Sequence, residues 1–99
     1  MRRPGIQTTR FKFKASVPMH EVMETMLMAQ LAIESIYGED RAKLETSIGA
    51  YPRRRLILIG TANEIGVNLA LVFMGYMRRE FGGRSFTMER SRLTEIPAA

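Results

Sequence analysis

Two stretches of this chain repeat their apolar residues at helical spacing, and each carries them on more than one side. The first is a helix predicted from Pro18 to about Tyr37. Met19, Val22, Met26, Ala29, Ile33 and Tyr37 form one stripe along it, as a core-facing side requires. Its far side should be polar, and His20, Glu24, Glu34 and Ser35 are. Leu27, Met28 and Leu31 lie there as well. The second helix is predicted from Thr61 to about Phe81, with Ile65, Leu69, Val72, Phe73 and Tyr76 toward the core. Its opposite side carries Val67, Leu71 and Met74, spaced i, i+4, i+7, followed by Arg78. Single exposed leucines are ordinary on a protein surface, but a contiguous apolar stripe asks for a cover. These six residues are the candidate oligomer or partner surface.

The helix ends are marked in the sequence. Proline suits a first helical position, because the N–H it lacks would be unpaired there. Glu21 and Glu24 follow, where the helix dipole favours negative charge. Gly38 and Gly82-Gly83 close the two helices. Thr61-Ala62-Asn63-Glu64 reads as a capping box, its threonine hydroxyl accepting from an amide of the first turn.

Between and around the helices the period changes to two. Thr9–Val17 alternates strictly, with Phe11 and Phe13 on one face and Arg10, Lys12 and Lys14 on the other, as in a half-buried strand. Ala42–Ala50 alternates again through Leu44, Thr46, Ile48 and Ala50, and Tyr51-Pro52-Arg53-Arg54 reads as a turn. Arg55–Gly60 is a continuous apolar run, the pattern of a central strand covered on both faces. Arg84–Arg90 is the last strand, with Phe86 and Met88 inward.

The order is strand, helix, strand, strand, helix, strand. In topology this resembles a ferredoxin-like βαββαβ sandwich, an α+β fold with a four-stranded antiparallel sheet and two helices on one face. That topology hosts unrelated functions and implies none. The 99 residues are expected to form a single domain, with flexible tails at residues 1–7 and 93–99.

Composition narrows the chemistry. Apolar residues make up 45% and charged residues 25%, as in an ordinary globular domain rather than a disordered chain. The absence of cysteine removes disulfides, thiolate metal sites and thiol nucleophiles together, and agrees with a cytoplasmic setting. No apolar stretch follows Arg2 and Arg3, so no signal peptide is expected. The most apolar run, Ile65–Met77, is too short to span a bilayer. Four of the eight methionines, at Met19, Met23, Met26 and Met28, fall in the first helix, where such flexible side chains suit irregular packing.

The formal charge is +5, with twelve arginines to three lysines. Arg10, Lys12 and Lys14, together with Arg53, Arg54 and Arg55, are the candidate nucleic-acid contacts of a second reading. Because Phe11 and Phe13 share the face opposite Lys12 and Lys14, they are expected inside the core rather than stacking on bases. A third reading is a regulatory domain that takes a small ligand at a dimer interface.

Signals for catalysis are sparse. His20, the sole histidine, shares a helix face with Glu24, but two ligands make half a metal site. Gly60–Gly66 (GTANEIG) lacks the lysine of a P-loop and sets Glu64 where a phosphate would sit. The sole aspartate, Asp40, has no nucleophile pattern beside it. The leading expectation is therefore a non-enzymatic domain without cofactor or metal that self-associates or binds a protein partner.

Overall fold

A computed structural model describes residues 6–93. In chain order the elements are β1 (Ile6–Phe13), α1 (Met19–Tyr37), α2 (Glu39–Glu45), β2 (Ile48–Tyr51), a 3-10 turn (Pro52–Arg54), β3 (Leu56–Gly60), α3 (Glu64–Phe81) and β4 (Phe86–Leu93). The strands form one antiparallel sheet in the order β2-β3-β1-β4. The described residues are thus α+β, with three helices where the sequence led us to expect two. Residues 6, 7 and 93 of the expected tails are paired in β1 and β4; residues 1–5 and 94–99 lie outside the described residues.

The third helix replaces the first half of the expected strand at Ala42–Ala50. Ala42, Lys43, Leu44 and Glu45 are strong helix formers, and their alternation with the residues of β2 is a coincidence of composition. Gly38 takes φ +90°, which a side chain would resist, so α2 starts at once after α1. Two i, i+4 ion pairs then lie along it, Lys43 to Glu39 at 2.6 Å and Arg41 to Glu45 at 2.7 Å. Ala42 is buried, whereas Leu44 points to solvent.

The core lies between the sheet and the two long helices. β1 contributes Phe11 and Phe13, β3 Ile57 and Ile59, and β4 Phe86. Val22, Met26, Ala29 and Ile33 of α1 and Ile65, Leu69, Phe73 and Met77 of α3 close over them. The Phe11 ring meets Phe73 edge-on with centroids 5.1 Å apart, and Phe86 at 5.8 Å. The buried side of α3 is turned from the expected stripe: Ala70 and Met77 are buried, while Val72 and Tyr76 are only partly covered.

Two close approaches hold α3 in place. A Cβ on Gly66 would stand 2.0 Å from the Gly60 carbonyl oxygen, so only glycine lets the first turn of α3 lie on the end of β3. The cap is Asn63, not Thr61: its side-chain oxygen accepts from the Gly66 amide at 2.8 Å, and its amide nitrogen donates to the Glu45 carbonyl at 2.9 Å. Thr61 is buried and turns its hydroxyl to that of Thr9.

β1 ends at Phe13 rather than Val17 because Arg55 gathers the turn after it. Arg55 is left-handed at φ 55° and ψ 47°. Its guanidinium donates to the carbonyls of Phe13, Lys14 and Val17. Three carbonyls on one fork tie the start of α1 to the start of β3.

Candidate functional site

The register divides the sheet residues between two faces. On the helix side, Phe11 stands between Ile57 and Met88, and Thr9 between Ile59 and Arg90. On the other side, Arg10 stands between Leu58 and Glu89, and Lys12 between Leu56 and Thr87.

The helix-free face does not expose the apolar half of β3. Leu56 is fully buried and Leu58 is 6% exposed. Their register neighbours include Lys12 and Tyr51 beside Leu56, and Arg10 and Gly49 beside Leu58. The Tyr51 ring lies across Gly49, with Cε2 3.0 Å from where a Cβ would be. Long aliphatic stems and an aromatic ring shield apolar surface while their polar ends stay wet. The apolar half of β3 is thus covered within the chain itself.

The basic candidates separate. Arg10 and Lys12 share the helix-free face, with Lys14 exposed just beyond β1. Arg53 and Arg54 are exposed on the 3-10 turn at the far edge of the sheet, after β2. Arg55 is drawn into the turn after β1, and its guanidinium is engaged by backbone carbonyls. Glu89, directly across from Arg10, puts a carboxylate into the same field.

All six apolar helix candidates fall on the outer sides of their helices, but the structure does not bring the two sets together. Leu27, Met28 and Leu31 are each more than half exposed. Met28 lines a shallow groove over the seam between α1 and α3 with Thr25, Tyr76, Arg79 and Glu80. Val67, Leu71 and Met74 are on the other flank of α3. There they line a groove of about 150 Å³ with Ala70, Thr9, Thr61 and two residues of β4, Met88 and Arg90.

The second groove is the candidate site. Its floor is the helix side of β4, which α3 leaves partly bare: Met88 faces the helices yet remains 44% exposed. One wall is Val67, Ala70, Leu71 and Met74. Among the described residues the other side is open, because β4 is the edge of the sheet and pairs there with β1 alone. On its outer side this eight-residue edge has no strand partner among the described residues, and such an edge presents a row of backbone N–H and C=O groups open to pairing. The opposite edge, β2, is half as long and runs straight into Pro52. The sequence placed Met88 inward but gave no sign that it and Arg90 border an open groove. β4 pairs with β1 and not with its neighbours in sequence, so which strand is the edge depends on strand order, and no local pattern reports it.

Chemistry elsewhere is thin. His20 is exposed, and no three metal-ligating side chains converge among the described residues. The resolved pKa shifts lie at exposed ion pairs of α2. Glu39 is lowered by its bond to Lys43, and Lys43 and Arg41 are raised by Glu39 and Glu45. No helix among the described residues is long and apolar enough to cross a membrane. Compared with protein-family models, curated proteins and solved structures, the chain matches none of them.

Proposed function

We propose that this is a non-enzymatic pairing domain that self-associates through the groove between α3 and the open edge of β4. One observation carries the reading. An apolar helix stripe and an unpaired strand edge border the same groove, so one partner could bury the first and hydrogen-bond the second. In fold terms we read the sheet order, with α1 and α3, as a ferredoxin-like sandwich to which α2 has been added.

Magnitudes decide what kind of pairing this allows. Val67, Leu71 and Met88 are 36%, 54% and 44% exposed. Covering those fractions in two copies supplies roughly 4–8 kcal/mol, at about 1.5–3 kcal/mol per whole side chain. Association costs about 4–15 kcal/mol. Apolar burial alone therefore gives a weak complex, and edge hydrogen bonds, at about 0.5–1.5 kcal/mol each net, make up the difference. The pairing should be reversible on dilution. Sedimentation equilibrium tests it: the mass should approach two chains of 11.3 kDa at high concentration and fall toward one on dilution. A mass of one chain throughout overturns the reading.

The nucleic-acid reading keeps a narrower footing, Arg10 and Lys12 on one face with Lys14 beyond them. Retention on a polyanion whose log affinity falls linearly with log salt would support it.

A further inference from the structure

Self-association through the α3–β4 groove has a geometry that the groove residues themselves specify, and the geometry rests on that proposed function. We infer that two copies join across a two-fold axis between Met88 and its equivalent. This extends the sheet to eight strands through β4 and packs α3 against α3 about Leu71.

The strand comes first. A two-fold axis perpendicular to the sheet keeps both helix layers on one side and pairs β4 with itself antiparallel. Only registers that match residues of the same face are allowed. Centred on Glu89, the pairing sets two carboxylates opposite each other; centred on Arg90, it sets two guanidinium groups opposite each other. Like charges directly opposite oppose pairing. Centred on Met88, it sets Met88 against Met88, Thr87 against Glu89 and Phe86 against Arg90, with no like charges over Phe86–Arg90. Of the three it alone brings the half-exposed Met88 side chains together.

The helix leads independently to the same axis. The outer stripe of α3 runs Glu64, Val67, Leu71, Met74, Arg78, a 3-4-3-4 spacing with opposite charges at its two ends. All five are exposed or half-exposed. Glu64 adds to the field that raises the Arg41 pKa, but neither ion pair of α2 includes a residue of the stripe. Antiparallel packing of α3 on itself about Leu71 places Glu64 beside Arg78 of the second copy, twice, and Val67 beside Met74. A stripe carrying its own complementary charges in reverse order fits a second copy of this chain better than an unrelated partner. Gly75 lies next along this side, and a Cβ there would meet nothing within 4 Å, so the helices have room to approach.

The two centres coincide. β3 and β4 both run antiparallel to β1, so α3, returning from the end of β3, runs antiparallel to β4. The register aligns Gly60, just before α3, with Thr8 and Ser91. From Ser91 back to Met88 is three strand residues, about 10 Å. The first turn of α3 meets the end of β3 at Gly66, where a Cβ would stand 2.0 Å from the Gly60 carbonyl oxygen, and from Gly66 to Leu71 is five helix residues, about 7.5 Å. Leu71 and Met88 thus stand within about one strand residue of the same level, and both line the groove. A single axis serves strand and helix together.

The chain has no cysteine, so one introduced thiol reports one position. Met88→Cys should form a disulfide-linked pair under mild oxidation, because residues opposite each other on adjacent strands are close enough for a bridge. Arg53→Cys, at the far edge, should not. Separately, Glu64→Arg and Arg78→Glu should each weaken association by about tenfold, and the double exchange should restore most of it. The outcomes separate the two claims. A mass of two chains without the Met88→Cys link and without charge-exchange rescue overturns this geometry and leaves self-association standing. A mass of one chain overturns both.

Discussion

Leu71 and Leu31 make a matched pair for locating the interface. Both are leucines on the outer side of a long helix, 54% and 51% exposed. A glutamate at either should cost the isolated fold little, within about 0.5 kcal/mol, as exposed substitutions usually do. Their effects on pairing should differ sharply. Leu71 lies at the proposed axis and counts twice, so losing its remaining burial in both copies removes about 2–3 kcal/mol. Two carboxylates meeting there add about 1–3 kcal/mol of repulsion at an effective dielectric constant near 20 or above. Leu71→Glu should thus weaken association by about 3–6 kcal/mol, roughly a hundred- to ten-thousand-fold rise in dissociation constant. Leu31→Glu should leave it unchanged. Sedimentation equilibrium over a dilution series measures both, with thermal melts by circular dichroism confirming the fold. If Leu31→Glu dissociates the pair and Leu71→Glu does not, the α3–β4 assignment is refuted.

The fold itself sets four further outcomes. Gly66→Ala should lose about 2 kcal/mol or more, since its methyl group meets the Gly60 backbone oxygen; Gly75→Ala, with open space, should gain up to about 1 kcal/mol in a dilute thermal melt. Arg55→Lys keeps the charge but not the fork to Phe13, Lys14 and Val17, and should lower the urea midpoint by an amount equal to about 1–3 kcal/mol. Acid should loosen α2 first. The folded Glu39 carboxyl titrates below its ordinary range because Lys43 holds it charged, so its contribution is complete above that range and fades as pH falls through the lowered value. Amide exchange in α2 should rise there before exchange in α1 does.

How far the sequence reading reached depended on whether a pattern had one cause. α1, β3 and α3 were legible because period and end signals agreed: Gly38 and Gly82 stop the helices at positive φ, and LILIG is buried on both faces. Ala42–Ala50 misled because its alternation spans a real junction, with helix formers before Thr46 and β2 from Ile48. The capping box misled because Thr61 and Asn63 both suit a cap, and the approach of Gly66 to β3 favours Asn63. The outer burial of Leu56 and Leu58 was hidden because the neighbours beside them, Arg10, Lys12 and Tyr51, come from other strands. For the site, the α3 stripe showed in the spacing of Val67, Leu71 and Met74. Its floor, Met88 beside an open edge, appeared only once the strands were ordered.

Binding of a second copy at the free edge of β4 is read directly by hydrogen exchange at the β4 amides that β1 does not engage, tracked as a function of protein concentration. Exchange across Phe86–Arg90 should be slow at high concentration and quicken on dilution, with the Arg53–Arg54 turn at the far edge unchanged. Concentration-independent exchange along β4, in a sample whose mass is two chains, would contradict it.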